Sequence, residues 1–484
     1  MEKNIEELRM YFKAGKTREI SWRKKQLNGL LNFMIEKEEE IFKALKNDLG
    51  KHPVESFRDE VGPLIKDINA ALDNLADWMS GKKIKLPLAA YSTSATLVAE
   101  PLGVVLIFST WNLPFGVSIE PLIGALAAGC TAVVKPSELA PASSALLAAA
   151  IPNYVDSEAV KIIEGGIDVS SQLLQYKWDK IFFTGSSQVG RIVMAAAAKH
   201  LTPVVLELGG KCPCIIDSLS KSWRTEIILK RLLSGKFGTT SGQACIGVDY
   251  ILVEEKLAST LVDLLKNSIR KTYGEKPENC VARIINKHHF QRLKALIDEP
   301  RVKKLIVYGG SYDEDKLFIE PTILLNPPLD AEIMKEEIFG PLLPLITMKN
   351  IEDSIEFINS RPKPLAIYCF TNNNKLMQRV ASETSSGALL FNDTVIQYAA
   401  EAIPFGGVGE SGIGRYHGKY SFDIFSHEKP VLKRDLFPDF WFRYPPWTSK
   451  KLELFRAAFL YKYFIIVLVA LGFKKSRKIP NIEA

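Results

Sequence analysis

Between residues 101 and 210, short apolar runs alternate with helix-forming stretches, and no other feature constrains the fold as tightly. Residues 104–108, 131–134, 159–163, 181–183 and 204–208 read as strands, and 121–129, 139–150 and 189–199 as helices. Short apolar strands separated by helices belong in a parallel sheet covered on both faces. That is the doubly wound α/β class, whose ligands sit beyond the carboxyl ends of the strands. A second α/β region runs from about 211 to 400, with a helix at 225–233 and strands at 250–253, 304–307 and 389–392. A chain of 484 residues exceeds one ordinary core, so two α/β domains are expected, with a hinge at Gly209 and Gly210. Residues 1–80 read as helices, 83–100 as an extended hairpin or arm, and the glycine-rich 404–418 as loop.

Charge and cysteine usage narrow the function. The net charge is +7, with Lys and Arg scattered among Asp and Glu, which gives nucleic-acid binding little support. Six cysteines make no disulfide framework, and the first twenty residues lack the apolar core of a secretory signal. A reducing, cytoplasmic setting is expected. Cys212 and Cys214 are a poor zinc pattern and are read as structural; no metal is expected. Residues 457–473 are apolar except for Lys462, and KKSRK follows at 474–478. A spanning helix needs about 20 apolar residues. Two readings stay open: a tail held on the cytosolic face of the endoplasmic reticulum or another membrane, or a helix docked on the protein itself.

Several short motifs carry chemistry. Cys245 lies in FGTTSGQACIG, among small residues that admit a substrate and offer backbone N–H groups to an oxyanion. Such a thiol needs a partly open site that lowers its pKa, and the bland alternative is a core-filling cysteine. Asn112, just after a strand, is a neutral donor for an oxyanion or an ordinary turn residue. Lys135 and Glu138, in KPSE, can hold ribose hydroxyls, and the carboxylate would favour NAD over NADP; a surface loop is the alternative. FTGSSQVG, with Gly185, Ser186 and Gly190, is a strand-to-helix turn fit for a pyrophosphate. Arg191 and Ile192 follow it where an NTPase needs Lys and Ser or Thr. Glu207, in ELGGK, is either a general base or the partner of Lys211. In EEIFGP, Glu337 could grip a ribose and Phe339 pack on a nicotinamide; an acidic turn with a core Phe is the alternative.

Together and in this order, FSTWN, KPSE, FTGS with VG, ELGGK, GQAC, EEIFGP and PFGGVGESG resemble the NAD(P)-dependent aldehyde dehydrogenases, over nearly all of residues 100–415. GRYHGKYSFDIFSHEKPVL and the short N-terminus resemble the class 3 branch, with its plant members and fatty aldehyde dehydrogenases. The resemblance implies a Rossmann-like cofactor domain (1–82 and 101–208), a catalytic domain (209–400), bridging segments for oligomerisation (83–100 and 401–450) and a tail (451–484). It implies Cys245 as nucleophile, Asn112 and the Cys245 N–H at the oxyanion, and Glu207 activating water to hydrolyse a thioester. Lys135 and Glu138 would hold the adenosine ribose, Gly185, Ser186 and Gly190 the pyrophosphate turn, Glu337 the nicotinamide ribose and Phe339 its ring. A homodimer follows, acting on medium- to long-chain or lipid-derived aldehydes in aldehyde detoxification. The alternatives are an acylating enzyme of the same superfamily and a non-catalytic, membrane-tethered binding protein on this fold.

Overall fold

The computed structural model describes residues 1–87, 90–219, 223–274 and 276–473, so the basic run at 474–478 lies outside the described residues. The chain divides into two compact units, Met1–Ala76 with Pro101–Ser426, and Asp77–Glu100 with His427–Ala484.

The first unit holds two sheets. In the six-stranded one the order is Gly412–Ile413, Val204–Leu208, Lys180–Gly185, Val104–Phe108, Thr131–Lys135, Val160–Ile162. The last five run parallel. All five residues of Val104–Phe108 are buried, as a parallel strand covered on both faces requires. Chain order reverses between Val104–Phe108 and Lys180–Gly185, which makes their carboxyl ends the switch point where such sheets open a crevice. The FSTWN and FTGS motifs leave the sheet at those two ends. The seven-stranded sheet, built from residues 213–391, is parallel except for Ile306–Tyr308 at one edge. The α/β expectation is met.

Three local readings are corrected. The glycine-rich 404–418 is not all loop: Gly412–Ile413 adds an antiparallel strand to Val204–Leu208, with Gly412 opposite Glu207. Gly412 has φ +150°, and a Cβ there would lie 2.3 Å from the Leu206 carbonyl oxygen, so only glycine permits the pairing. The helix expected at 121–129 begins at Gly116 and carries Pro121 inside it. Proline removes the N–H that would bond the Val117 carbonyl, and the Ser109 hydroxyl donates to that oxygen instead at 3.4 Å. The strand expected at 304–307 is Ile306–Tyr308.

In the second unit, Lys82–Ile84 pairs antiparallel with Thr93–Pro101, as an arm should, and Ser426–Arg434 completes a three-stranded sheet. The apolar tail is two short helices, Ser449–Phe459 and Tyr463–Ala470, because the chain turns at Tyr461 with φ +53°. Among the described residues no helix is long and apolar enough to cross a membrane.

Candidate active site

Asn112 is held by a buried scaffold. Its side-chain oxygen accepts from the Thr110 hydroxyl at 2.6 Å, which leaves the amide NH2 as the end with protons to offer. Its backbone carbonyl accepts from Lys51 Nζ at 3.1 Å. Lys51 pairs with Glu60 at 2.7 Å, both side chains wholly buried. The second oxygen of Glu60 accepts the N–H groups of Phe115 and Gly116. A buried ion pair persists only when its remaining valences are met, and here the loop backbone meets them.

Cys245 lies between the helix Trp223–Phe237 and the strand Tyr250–Glu254. Gln243, fully buried, fastens this loop with three hydrogen bonds: Nε2 donates to the carbonyls of Thr240 and Arg283, and Oε1 accepts from the Ile285 N–H. Cys212 donates its thiol to the Cys245 carbonyl at 3.4 Å, in keeping with a structural role. Cys245 itself is half-buried. Its thiol is pushed up to about 12, first by burial and then by the carboxylates of Glu337 and Glu207. The lowered thiol pKa expected from the sequence is therefore not produced by the protein's own side chains.

Glu207 stands on Val204–Leu208, opposite Thr184 on one side and Gly412 on the other. It is 3% exposed, and neither carboxylate oxygen has a hydrogen-bond partner. Burial, and then the charge of Glu120, hold its carboxyl well above the usual range. Lys211 is not its partner. Lys211 Nζ bonds Asp249 at 2.5 Å and the carbonyls of Ile333 and Glu336, while the other Asp249 oxygen accepts the Ile338 N–H. This clamp fixes the loop bearing Glu337 and Phe339. A Cβ on Gly209 would lie 2.0 Å from Glu337 Oε2, so the Gly209–Gly210 backbone cradles that carboxylate. Burial, and then Asp249, push Glu337 up to about 8. Phe339 meets Trp111 edge-on at 5.2 Å, and Trp111 also contacts His289 at 5.0 Å.

One cavity of about 720 Å³ is lined by Cys245, Glu207, Asn112, Glu337, Phe339 and the Gly185–Ser186 turn. Ser186 caps the helix Ser187–Ala198, accepting from the Val189 N–H at 3.3 Å. Gly190 lies outside the lining; a Cβ there would meet Leu208 at 2.8 Å, so it lets this helix close on the strand of Glu207. Lys135 and Glu138 also lie outside it, paired with each other at 2.5 Å at the end of the neighbouring strand. The first sheet contributes from carboxyl ends, as expected, but Cys245 and Glu337 precede their strands. Lys51, Glu60, Asp249 and His289 escape sequence reading, because each acts on a residue far along the chain and carries no local motif.

The sequence profile of the Aldehyde dehydrogenase family matches residues 1–431. The chain belongs to the aldehyde dehydrogenase family. It is 54% identical over 477 residues to aldehyde dehydrogenase family 3 member F1 of Arabidopsis thaliana, covering 98% of this chain and 99% of that protein. It is 42% identical to family 3 member A2 of Rattus norvegicus, covering 96% and 95%. The substrate-bound AldH of Staphylococcus aureus superposes with a TM-score of 0.89 at 39% identity, covering 98% and 99%. A betaine aldehyde dehydrogenase of that organism in complex with NAD+ superposes at 0.79 with 26% identity, covering 92% and 91%. This aldehyde dehydrogenase is thus an NAD(P)-dependent oxidoreductase of the family 3 type.

Proposed function

We propose that the enzyme oxidises medium- to long-chain aliphatic or lipid-derived aldehydes to carboxylic acids with NAD+ and water, through acyl chemistry on Cys245. The observation that carries this reading is the convergence of Cys245, Glu207 and Asn112 on one cavity. The Cys245 thiol releases its proton to solvent as its sulfur bonds to the aldehyde carbon and the carbonyl electron pair moves to oxygen, and the resulting oxyanion accepts from the Asn112 amide and the Cys245 N–H. NAD+, when bound, supplies the acceptor for the hydride that leaves this carbon. A thioester remains on Cys245. Glu207, once ionised, takes a proton from water, whose oxygen adds to the acyl carbon; the carboxylic acid departs and the thiol is restored.

The site has features that fit the dinucleotide. A helix amino terminus capped by Ser186 offers backbone N–H groups to a pyrophosphate, and the carboxylate of Glu337 is set in a glycine cradle at the cavity wall. Gly185, Ser186 and Gly190 shape the turn, Glu337 suits the nicotinamide ribose, Phe339 its ring, and Lys135 with Glu138 the adenosine ribose. The Glu138 carboxylate would repel a 2′-phosphate, so Glu138→Gln should raise the ratio of kcat/KM with NADP to that with NAD about tenfold or more. An unaltered ratio removes Glu138 from that role. The function as a whole is tested by following NADH over a chain-length series of aldehydes, with each cofactor and with or without coenzyme A. Acyl transfer to coenzyme A in preference to water would make the enzyme an acylating one.

The arm and the strand Ser426–Arg434 are proposed to join two subunits in a homodimer, in the cytoplasm. The tail is proposed to touch a membrane through 457–478, where Phe459, Phe464 and Phe473 are each more than 70% exposed. Full-length protein should pellet with vesicles of mixed neutral and anionic lipid, and protein lacking 457–484 should stay in the supernatant; equal partition of the two forms would count against the tail.

A further inference from the structure

Residues 51–60 belong to none of the motifs of the reaction, yet they grip both loops that carry the oxyanion donors. On one side, Lys51 Nζ donates to the Asn112 carbonyl at 3.1 Å, and Glu60 Oε2 accepts the Phe115 and Gly116 N–H groups at 2.9 and 3.2 Å. On the other, Glu55 Oε1 accepts the Thr240 N–H at 2.7 Å, and Arg58 Nη2 donates to the Gly238 carbonyl at 2.6 Å. Gly238 and Thr240 lie on the approach to Cys245. The two loops also meet directly: the Thr240 hydroxyl donates to the Asn112 carbonyl at 3.4 Å, so that one oxygen accepts from Lys51 and from the Cys245 loop at once. A wide turn of the π kind, Phe57–Val61, carries Glu60 between the short helix Pro53–Ser56 and the helix Gly62–Met79. Such turns are frequent where a fold serves function.

Thr240 is the strained point of this arrangement. It is wholly buried with φ +47°, and Ser241 follows it at φ +54°. A β-branched residue is an outlier in the left-handed region and stays there only where its surroundings over-determine it. Here every polar group of Thr240 is engaged. Its N–H goes to Glu55 and its hydroxyl to Asn112, while its carbonyl accepts from Gln243 Nε2 at 2.9 Å and from the Gln243 N–H at 3.0 Å. A glycine would adopt this backbone without strain, but it would lack the hydroxyl that joins the Cys245 loop to Asn112.

We propose that residues 51–60 form a bracket that fixes the Asn112 amide relative to the Cys245 N–H, with Lys51 and Glu55 as positioning residues for the oxyanion. The proposal rests on those two donors serving the oxyanion formed on Cys245. Such donors act only when their places are set before the charge develops, and a displacement of about 1 Å can cost roughly 10²-fold in rate.

The test is the pre-steady-state burst of NADH in full-length enzyme at saturating NAD+, with aldehyde deuterated at C1 so that hydride transfer limits the burst. Glu55 is only half-buried, and Glu55→Ala removes the acceptor of the Thr240 N–H. Its burst should keep full amplitude and the wild-type half-saturating aldehyde concentration, while its rate falls about tenfold or more. Glu55→Gln, which keeps an oxygen within reach of that N–H, should return the rate to within about twofold of wild type. Lys51→Met made together with Glu60→Gln, so that neither buried partner is stranded, should slow the burst in the same way. Asn112→Ala alone should slow it by about 10²–10³-fold. Adding Glu55→Ala to that background should cost no more than about threefold, because the relative placement of the two donors no longer matters. An unchanged burst rate in Glu55→Ala, or a loss of amplitude without a loss of rate, overturns the proposal. So does a loss that carries over in full into the Asn112→Ala background, which is what a general loosening of the fold would give. Failure of the underlying reading looks different: Asn112→Ala would then burst at the wild-type rate.

Discussion

Cys245→Ala should bind NAD normally and oxidise no aldehyde, with kcat/KM lower by at least about 10⁴-fold, or roughly 5.5 kcal/mol of transition-state stabilisation. The size follows from losing the only atom that bonds the substrate, since no electrostatic contact replaces a covalent intermediate. The fold should survive, because Gln243 rather than the Cys245 side chain fastens the loop, and Cys212 grips a backbone carbonyl that alanine retains. Cofactor titration by fluorescence and NADH production, measured on one preparation, check both halves; appreciable turnover would contradict the assignment. The raised thiol adds a second expectation. With the pKa pushed up to about 12 by burial, Glu337 and Glu207, thiolate is scarce at neutral pH. Alkylation of cofactor-free enzyme by iodoacetamide at Cys245 should climb about tenfold per pH unit from 7 to 10. A plateau near neutrality would mean that the protein alone stabilises the thiolate.

This point separates what the sequence reveals from what it hides. Asn112 and the Gly185–Ser186 turn were legible because each immediately follows an apolar strand, and strand order then brings both to the switch point. Cys245 and Glu207 were legible as residue types in small-residue surroundings. Their electrostatics were not, because the charges that set them arrive from elsewhere: Glu120 from a buried helix, Glu337 from a loop clamped by Lys211 and Asp249. The competing Glu207–Lys211 pair, equal to the base reading on sequence, fails because Lys211 finds its carboxylate 38 residues away. Lys51 with Glu60 and Glu55 with Thr240 likewise join residues that no local pattern connects. Pro121 hid the first turns of its own helix, since a proline normally marks a helix start and here a serine hydroxyl takes up the freed carbonyl. The tail failed as one continuous segment for a backbone reason, a left-handed turn at Tyr461 that apolarity does not encode.

Glu207→Gln should yield one equivalent of NADH per active site and then nearly stop, with steady-state kcat lower by about 10²–10⁴-fold. Glutamine has the shape of the side chain and none of its basicity, so the first half-reaction proceeds and the thioester on Cys245 persists. Mass spectrometry of the quenched protein should find that acyl adduct, and a full steady-state rate would falsify the role. Stability should change in the opposite sense to activity. Wild-type Glu207 has both oxygens buried without partners and a pKa raised above its unfolded value. A carboxyl of this kind contributes stability that is fully present below the ordinary carboxylate range and is lost as pH rises towards the folded pKa. The neutral amide pays no such penalty for ionising. Glu207→Gln and wild type should therefore melt alike in acid and diverge as pH rises, the variant being the more stable at neutral and alkaline pH. A difference in Tm that shrinks with rising pH would mean that Glu207 is ionised and well solvated in the folded enzyme. Loss of the base and gain of stability in one substitution is the signature of a group kept in an unfavourable environment because the reaction needs it there.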